Sequence, residues 1–228
     1  MPLILCIETS TTACSVALCD EQGIVASREE NNGYTHAENL HVFIEEVIQK
    51  SGRAKKDIAA IAVGKGPGSY TGLRIGVSAA KGLSYALGIP LLSVNSLYTM
   101  AAAVKEQVKD EDCILCPMLD ARRMEIYTAT YSSSDLSELS PTQALIVTDE
   151  SVQQFKTGKT GVFFGDGMPK CKTLLEKLPQ VHFVENIFPS ALHMREAVLQ
   201  AFADKRFEDV AYFEPFYLKE FFTTAKIN

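Results

Sequence analysis

One order of segments occurs twice in this chain. In the first half, residues 3–8 (LILCIE), 14–19 (CSVALC) and 24–30 (IVASREE) read as strands, the last two joined by the turn Asp20-Glu21-Gln22-Gly23. An amphipathic helix over 36–51 follows. Thr35 to Glu38 (THAE) has the form of a capping box, Leu40, Phe43, Ile44, Val47 and Ile48 recur at helical spacing, and Gly52 supplies the stop. Next come an apolar strand at 58–63 (IAAIAV), a glycine-rich loop, a helix over 71–87 closed by Gly88, the strand IPLLSVN, and an alanine-rich helix over 97–108. After the charged link KDED the pattern restarts. Strands at 113–119 and 124–131 flank Asp120-Ala121-Arg122-Arg123, and a third strand is read at 144–148. Then follow a helix at 150–156, a strand at 162–164, a helix at 169–178, a strand at 181–184 and a helix from about Ser190 to Ala203. Strands alternating with helices pack as helices on sheets. The expected fold is α/β and duplicated, with one lobe over 1–110 and a second over 111–228.

The glycine-rich loop, Gly64 to Gly76 (GKGPGSYTGLRIG), follows a strand and opens a helix, the setting in which backbone N–H groups hold phosphate. The motif chemistry is incomplete. The Walker pattern needs lysine after Gly72, where this chain has Leu73, and the dinucleotide pattern drawn on Gly66 and Gly68 meets Thr71 at its third glycine. A nucleotide reading therefore rests on Gly66, Gly68 and Ser69 in the loop, on the acid and hydroxyls Glu8, Thr9 and Ser10 that end the first strand, and on the second-half turn Gly165-Asp166-Gly167. Ordinary backbone-bonded turns account for the same residues. The helix behind the loop offers another role. Gly72, Gly76, Ala80, Ser84 and Gly88 form a ridge of small side chains, suited to close packing on the chain's own core or against a partner.

No catalytic set stands out. Cys113-x-x-Cys116 lies on a strand, where residues three apart point to opposite faces, so structural cysteines are expected. His36 and His41 are five apart, which puts their side chains about 140° apart around a helix and makes a poor zinc pair. Arg122 and Arg123 fit either an anion or carboxylate anchor or a solvated hairpin. The formal net charge of −6 argues against autonomous binding to a nucleic-acid backbone, while leaving room for a local basic patch. The apolar amino terminus is short, lacks a basic region and is interrupted by Glu8, so no signal peptide is expected. No apolar run approaches the ~18 residues of a membrane span, and cytoplasm is the expected compartment.

The stretches ILCIETSTTACSVAL, GKGPGSYTGLRIGVSAAKGLSYALGIPLLSVNSL, LDARRMEIYTATY and EPFYLKEF together resemble the TsaB (YeaZ) family, from Leu3 to about Glu220. Lys219 stands where that family often has arginine. The resemblance implies two ribonuclease-H-like lobes of the actin-like ATPase superfamily, that of hexokinase and the heat-shock ATPases. It implies a non-catalytic subunit of the machinery that installs threonylcarbamoyladenosine beside the anticodon of tRNA. A TsaD-type catalytic paralogue would carry the metal, a TsaE-type ATPase would join, and tRNA would be engaged mainly through the complex. The chain itself would hold no metal, with weak or no ATP and Mg²⁺ binding. It further implies docking through the helices 36–51 and 71–87, for which Leu40, Phe43, Ile44, Val47, Arg74, Val77, Lys81 and Tyr85 are the candidates, and a homodimer when alone. The alternative is a small-molecule kinase of the same superfamily, built on Glu8 and the turns at Gly66–Ser69 and Gly165–Gly167. A metalloprotease would need bound zinc.

Overall fold

The structure, a computed structural model, describes residues 1–31, 33, 36–108 and 112–219. The first half contains β1 (Leu3–Glu8), β2 (Cys14–Asp20), β3 (Gly23–Glu30), α1 (His36–Ser51), β4 (Ile58–Gly66), α2 (Tyr70–Leu87), β5 (Leu91–Asn95) and α3 (Ser96–Lys105). The second contains β6 (Cys113–Asp120), β7 (Glu125–Ser132), β8 (Glu138–Ile146), β9 (Thr160–Phe164), α4 (Met168–Leu175), β10 (Val181–Val184) and α5 (Arg195–Ala203). Thr35, the expected cap of α1, and the link residues 109–111 lie outside the described residues.

Two five-stranded sheets result, and they share one topology. The first runs β3-β2-β1-β4-β5 and the second, read from the same end, β8-β7-β6-β9-β10. In each, the first three strands are antiparallel neighbours and the last two join in parallel. This is the doubled ribonuclease-H-like, actin-like architecture that the resemblance implies.

Where the elements differ from expectation, local chemistry explains it. The third strand of the second sheet is Glu138–Ile146 rather than 144–148. Its first residues are polar and include Pro141, which reads as a break. The strand lies at the sheet edge, where a missing N–H costs no ladder bond. The helix expected at 150–156 is a 3-10 turn, Ser151–Phe155. The helix expected from Ser190 starts as another 3-10 turn, Ala191–His193, with the Ser190 hydroxyl accepting from the Leu192 N–H, before α5 begins. The ends of α2 are as expected: Ser69 caps the start, and Gly88 ends it in the left-handed region at φ 65°.

Four apolar clusters form among the described residues. α1 and α2 cover one face of the first sheet. The other face is covered by α5 and residues 191–194. α3 packs against β6 and β7 on the second sheet, whose opposite face carries α4 and the 3-10 turn at 151–155. The two halves therefore exchange their last helices, which ties the lobes together through burial rather than through a linker. Cys113 belongs to one of the two clusters on the second sheet and Cys116 to the other, as strand geometry requires. All six cysteines are buried and free. Among the described residues, no helix is long and apolar enough to cross a membrane.

Candidate functional site

Parallel pairing of β1 with β4 brings the turn after β1 against the loop after β4. Glu8, Thr9 and Ser10 are fully buried there. The Glu8 carboxylate accepts from the Ser10 N–H at 2.8 Å and from the Ser96 hydroxyl at 2.8 Å. Burial pushes its carboxyl above the ordinary range, partly offset by those hydrogen bonds. The Ser69 N–H donates to the Ser10 carbonyl at 2.6 Å, and the Thr9 hydroxyl to the Gly72 carbonyl at 2.8 Å.

The glycines make this contact possible. A Cβ on Gly64 would lie 2.1 Å from Glu8 Oε2, on Gly68 2.2 Å from the Ser10 carbonyl, on Gly72 2.1 Å from the Thr9 carbonyl, and on Gly76 2.2 Å from Thr9 Oγ1. Each missing side chain is replaced by an atom of residues 8–10. Gly66, at φ 100°, is backed by the Leu73 side chain and the Phe216 carbonyl. Five of the nine residues proposed for a nucleotide (Glu8, Thr9, Ser10, Gly68 and Ser69) thus form a closed internal contact, and Gly66 is covered separately by Leu73 and Phe216. The reason is steric: the first-strand turn fills the cradle that glycines alone suggest.

Of the other three, Gly165 and Asp166 line an interlobe cleft of about 530 Å³. Thr11, Thr12 and Asn31 line it from the first lobe, and Gly165, Asp166 and Lys172 from the second. Gly167 is instead buried beneath the backbone of Leu119. Asp166 accepts from the Asp120 N–H at 2.9 Å, so its carboxylate also fixes the neighbouring hairpin. The cleft does not include Glu8 or the Gly66–Ser69 turn, so the pieces of the kinase alternative are not assembled around it. His36 is buried, with Nε2 2.6 Å from the Thr11 carbonyl, and His41 is exposed. Among the described residues no three His, Cys, Asp or Glu side chains gather in a metal-holding group.

The docking candidates divide sharply. Leu40, Phe43, Ile44 and Val47 are at most 5% exposed, and Val77 is 4% exposed; all five belong to the first-lobe core. This corrects the expectation that they face a partner. The sheet beneath is apolar on both faces and needs a cover, and the apolar stripe of α1 supplies it. Arg74, Lys81 and Tyr85 are on or near the surface. The Arg74 guanidinium lies 4.1 Å over the Tyr70 ring and donates to the Tyr217 hydroxyl at 3.2 Å. Lys81 donates to the Ala211 and Phe213 carbonyls at 3.1 and 3.0 Å.

These bonds reveal an element the periodicity does not show. Residues 208–217 form a strap along α2. The Glu208 N–H donates to the Leu91 carbonyl at 2.8 Å, the Ser93 hydroxyl to the Glu208 carboxylate at 2.5 Å, and the Phe216 N–H to the Lys65 carbonyl at 2.8 Å. Beside the strap, α2 turns Arg74, Ser78, Gly82, Tyr85 and Ala86 outward. A Cβ on Gly82 would meet nothing within 4 Å. Tyr85 is 85% exposed, Tyr212 on the strap 84%, and Val42 on α1 52%. The candidate site is this outer face, a second ridge of α2 offset from the one that holds Thr9. Its one sequence signal is a glycine in a helix interior with no neighbour to demand it.

The profile of the family described as TsaD, tRNA N6-adenosine threonylcarbamoyltransferase, matches residues 23–212. The tRNA threonylcarbamoyladenosine biosynthesis protein TsaB of Escherichia coli strain K12 is 31% identical over 225 residues, covering 95% of this chain and 94% of the relative. The protein of the same name from Bacillus subtilis strain 168 is 31% identical over 175 residues, covering 76% and 75%. The solved structure of YeaZ from Pseudomonas aeruginosa superposes with a TM-score of 0.80 at 26% identity, covering 96% of this chain and all of the other. A doubled fold of this topology, a glycine loop closed by its own first-strand turn, and similarity along nearly the whole length converge: the chain belongs to the TsaB (YeaZ) family and takes part in tRNA threonylcarbamoyladenosine biosynthesis.

Proposed function

We propose that this chain is a non-catalytic scaffold subunit of the complex that transfers a threonylcarbamoyl group to the adenosine beside the tRNA anticodon. It pairs with a TsaD-type catalytic paralogue through the outer face of α2, the neighbouring edge of α1 and the strap over 208–217. A TsaE-type ATPase joins the pair in the cytoplasm, and the same face joins two copies of the chain when the paralogue is absent.

One observation carries the reading. Gly82 sits mid-helix with open space beyond it, flanked by Ser78 and Ala86, while Tyr85 and Tyr212 stand nearly fully exposed beside it. Glycine in a helix interior costs roughly 1 kcal/mol relative to alanine. The chain's own packing returns nothing at this position, whereas a helix approaching closely from outside would. The burial of Glu8, Thr9 and Ser10 supports a chain that turns over no nucleotide of its own.

The test is reconstitution. The chain, its TsaD-type and TsaE-type partners, tRNA and the threonylcarbamoyl adenylate are mixed, with the chain present or omitted. Transfer should require the chain, and a Gly82→Leu variant should fail to co-elute with the paralogue. Full transfer without the chain sinks the proposal. So does titration calorimetry that finds micromolar ATP affinity with turnover by the chain alone.

A further inference from the structure

The hairpin between β6 and β7 spans residues 121–124. Arg122 and Arg123 at its tip have φ of 68° and 46°, consecutive left-handed residues in positions that favour asparagine or glycine. A side-chain-bearing residue held in that region stores free energy, and such strain concentrates where side chains act on a ligand.

The loop is rigidly framed. Each of its four carbonyls has a donor: Ala121 from Lys219 Nζ, Arg122 from the Glu125 N–H, Arg123 from Lys170 Nζ, and Met124 from the Val147 N–H. The Arg122 N–H is held by Asp120 Oδ1 at 2.8 Å. The two lysines that brace it are paired with carboxylates, Lys170 with Asp120 and Lys219 with Glu125. The two arginines, both exposed, make no side-chain hydrogen bond or ion pair among the described residues. A chain of net charge −6 thus presents two adjacent guanidinium groups on a preorganised frame in which Lys170 and Lys219 are each paired with a carboxylate.

We infer that Arg122 and Arg123 are a binding site for the sugar–phosphate backbone of tRNA. Guanidinium forks match phosphate oxygens, and a frame already fixed loses little entropy on binding. The family's pathway acts on tRNA, and although Asp120 lies within electrostatic reach of Arg122, no carboxylate among the described residues is bonded to either guanidinium. This goes beyond the docking proposal, because it assigns this chain its own contact with RNA, away from the outer face of α2.

The test uses the double variant Arg122→Gly/Arg123→Gly. Glycine accepts both backbone conformations, so the variant keeps a thermal midpoint at or above the parent's. Binding to tRNA is measured across a salt series by the full chain, alone and assembled with its catalytic paralogue. The variant should bind about tenfold or more weakly at low salt, with the slope of log K against log salt shallower by about 2. Arg122→Lys/Arg123→Lys should retain most of that slope. Equal affinity and slope for parent and variant overturn the inference, as does retention of tRNA by neither. A lowered midpoint also overturns it, because the arginines would then serve the fold. Loss of co-elution with the paralogue, with tRNA binding unchanged, would assign the pair to an acidic protein surface instead. Co-elution of the Gly82→Leu variant reads the docking proposal separately.

Discussion

The hydroxyl of Thr9 stands where a side chain on Gly76 would be, 2.2 Å from the position of its Cβ, and donates to the carbonyl of Gly72 at 2.8 Å. One hydroxyl therefore joins the end of β1 to the first turns of α2 and fixes how closely helix and strand approach. A loop with the look of a phosphate cradle is here a device for packing, and its glycines are occupied from within.

Gly76→Ala should destabilise the chain. Helix propensity favours alanine by roughly 1 kcal/mol, but the methyl group must displace Thr9 and break its hydrogen bond to Gly72. A net loss of about 2 kcal/mol is expected by urea titration. Thr9→Ala combined with Gly76→Ala should recover part of it, because the alanine methyl then has room.

Gly82→Ala should do the opposite, since its Cβ points into open space. A gain of about 0.5–1 kcal/mol in unfolding free energy is expected. Association with the paralogue, followed by size-exclusion chromatography, should weaken for Gly82→Leu by at least about tenfold, or about 1.4 kcal/mol. Gly82→Ala folding better while Gly82→Leu assembles worse separates a docking residue from a core residue.

Phe43→Ala should behave as a core truncation. Phe43 is 4% exposed, lies among the cluster between α1 and the first sheet, and carries the Arg28 guanidinium 4.8 Å over its ring. A loss of about 3–5 kcal/mol is expected by denaturant titration. Any loss of assembly should follow the unfolded fraction.

Glu8 gives the chain a pH dependence of known sign. Its folded-state carboxyl lies above the ordinary 4.5, chiefly through burial. The folded chain therefore holds that proton more tightly than the unfolded chain does. Its contribution is fully present below about pH 4.5 and is lost as pH rises through the raised folded value. Glu8→Gln should be less favourable relative to the parent at pH 4 than at pH 7. Parallel urea titrations at those two pH values read the difference, and a constant offset would contradict the assignment.

Lys81 anchors the strap through two backbone carbonyls. Lys81→Met keeps the aliphatic stem and removes both bonds. Amide hydrogen exchange over residues 208–217 should accelerate, with a stability loss of about 1 kcal/mol. Exchange in β1 and β4 should stay slow, because their protection comes from the central sheet.

Much of this protein is written in local pattern. Alternation and apolar runs fix the strands, helical spacing fixes α1 and α2, and the glycine after Leu87 stops a helix because only that residue enters the left-handed region cheaply. Repetition of one segment order gives the doubled sheet, and period two on β6 sends Cys113 and Cys116 to opposite faces. Periodicity also shows that Leu40, Phe43, Ile44 and Val47 share a stripe, but not what covers it. A core and a partner interface demand the same apolar residues, and only the placement of the first sheet under α1 decides for the core. The glycine loop is ambiguous for a similar reason. Its meaning depends on Thr9 and Ser10, some sixty residues away in the chain and brought alongside by the parallel pairing of β1 with β4. The strap over 208–217 has no period because its hydrogen bonds are to distant backbone, and the strained arginine hairpin takes its shape from Lys170 and Lys219 reaching in from elsewhere. Local sequence sets which elements form; contacts between residues far apart in the chain decide which of their faces remain open to another molecule.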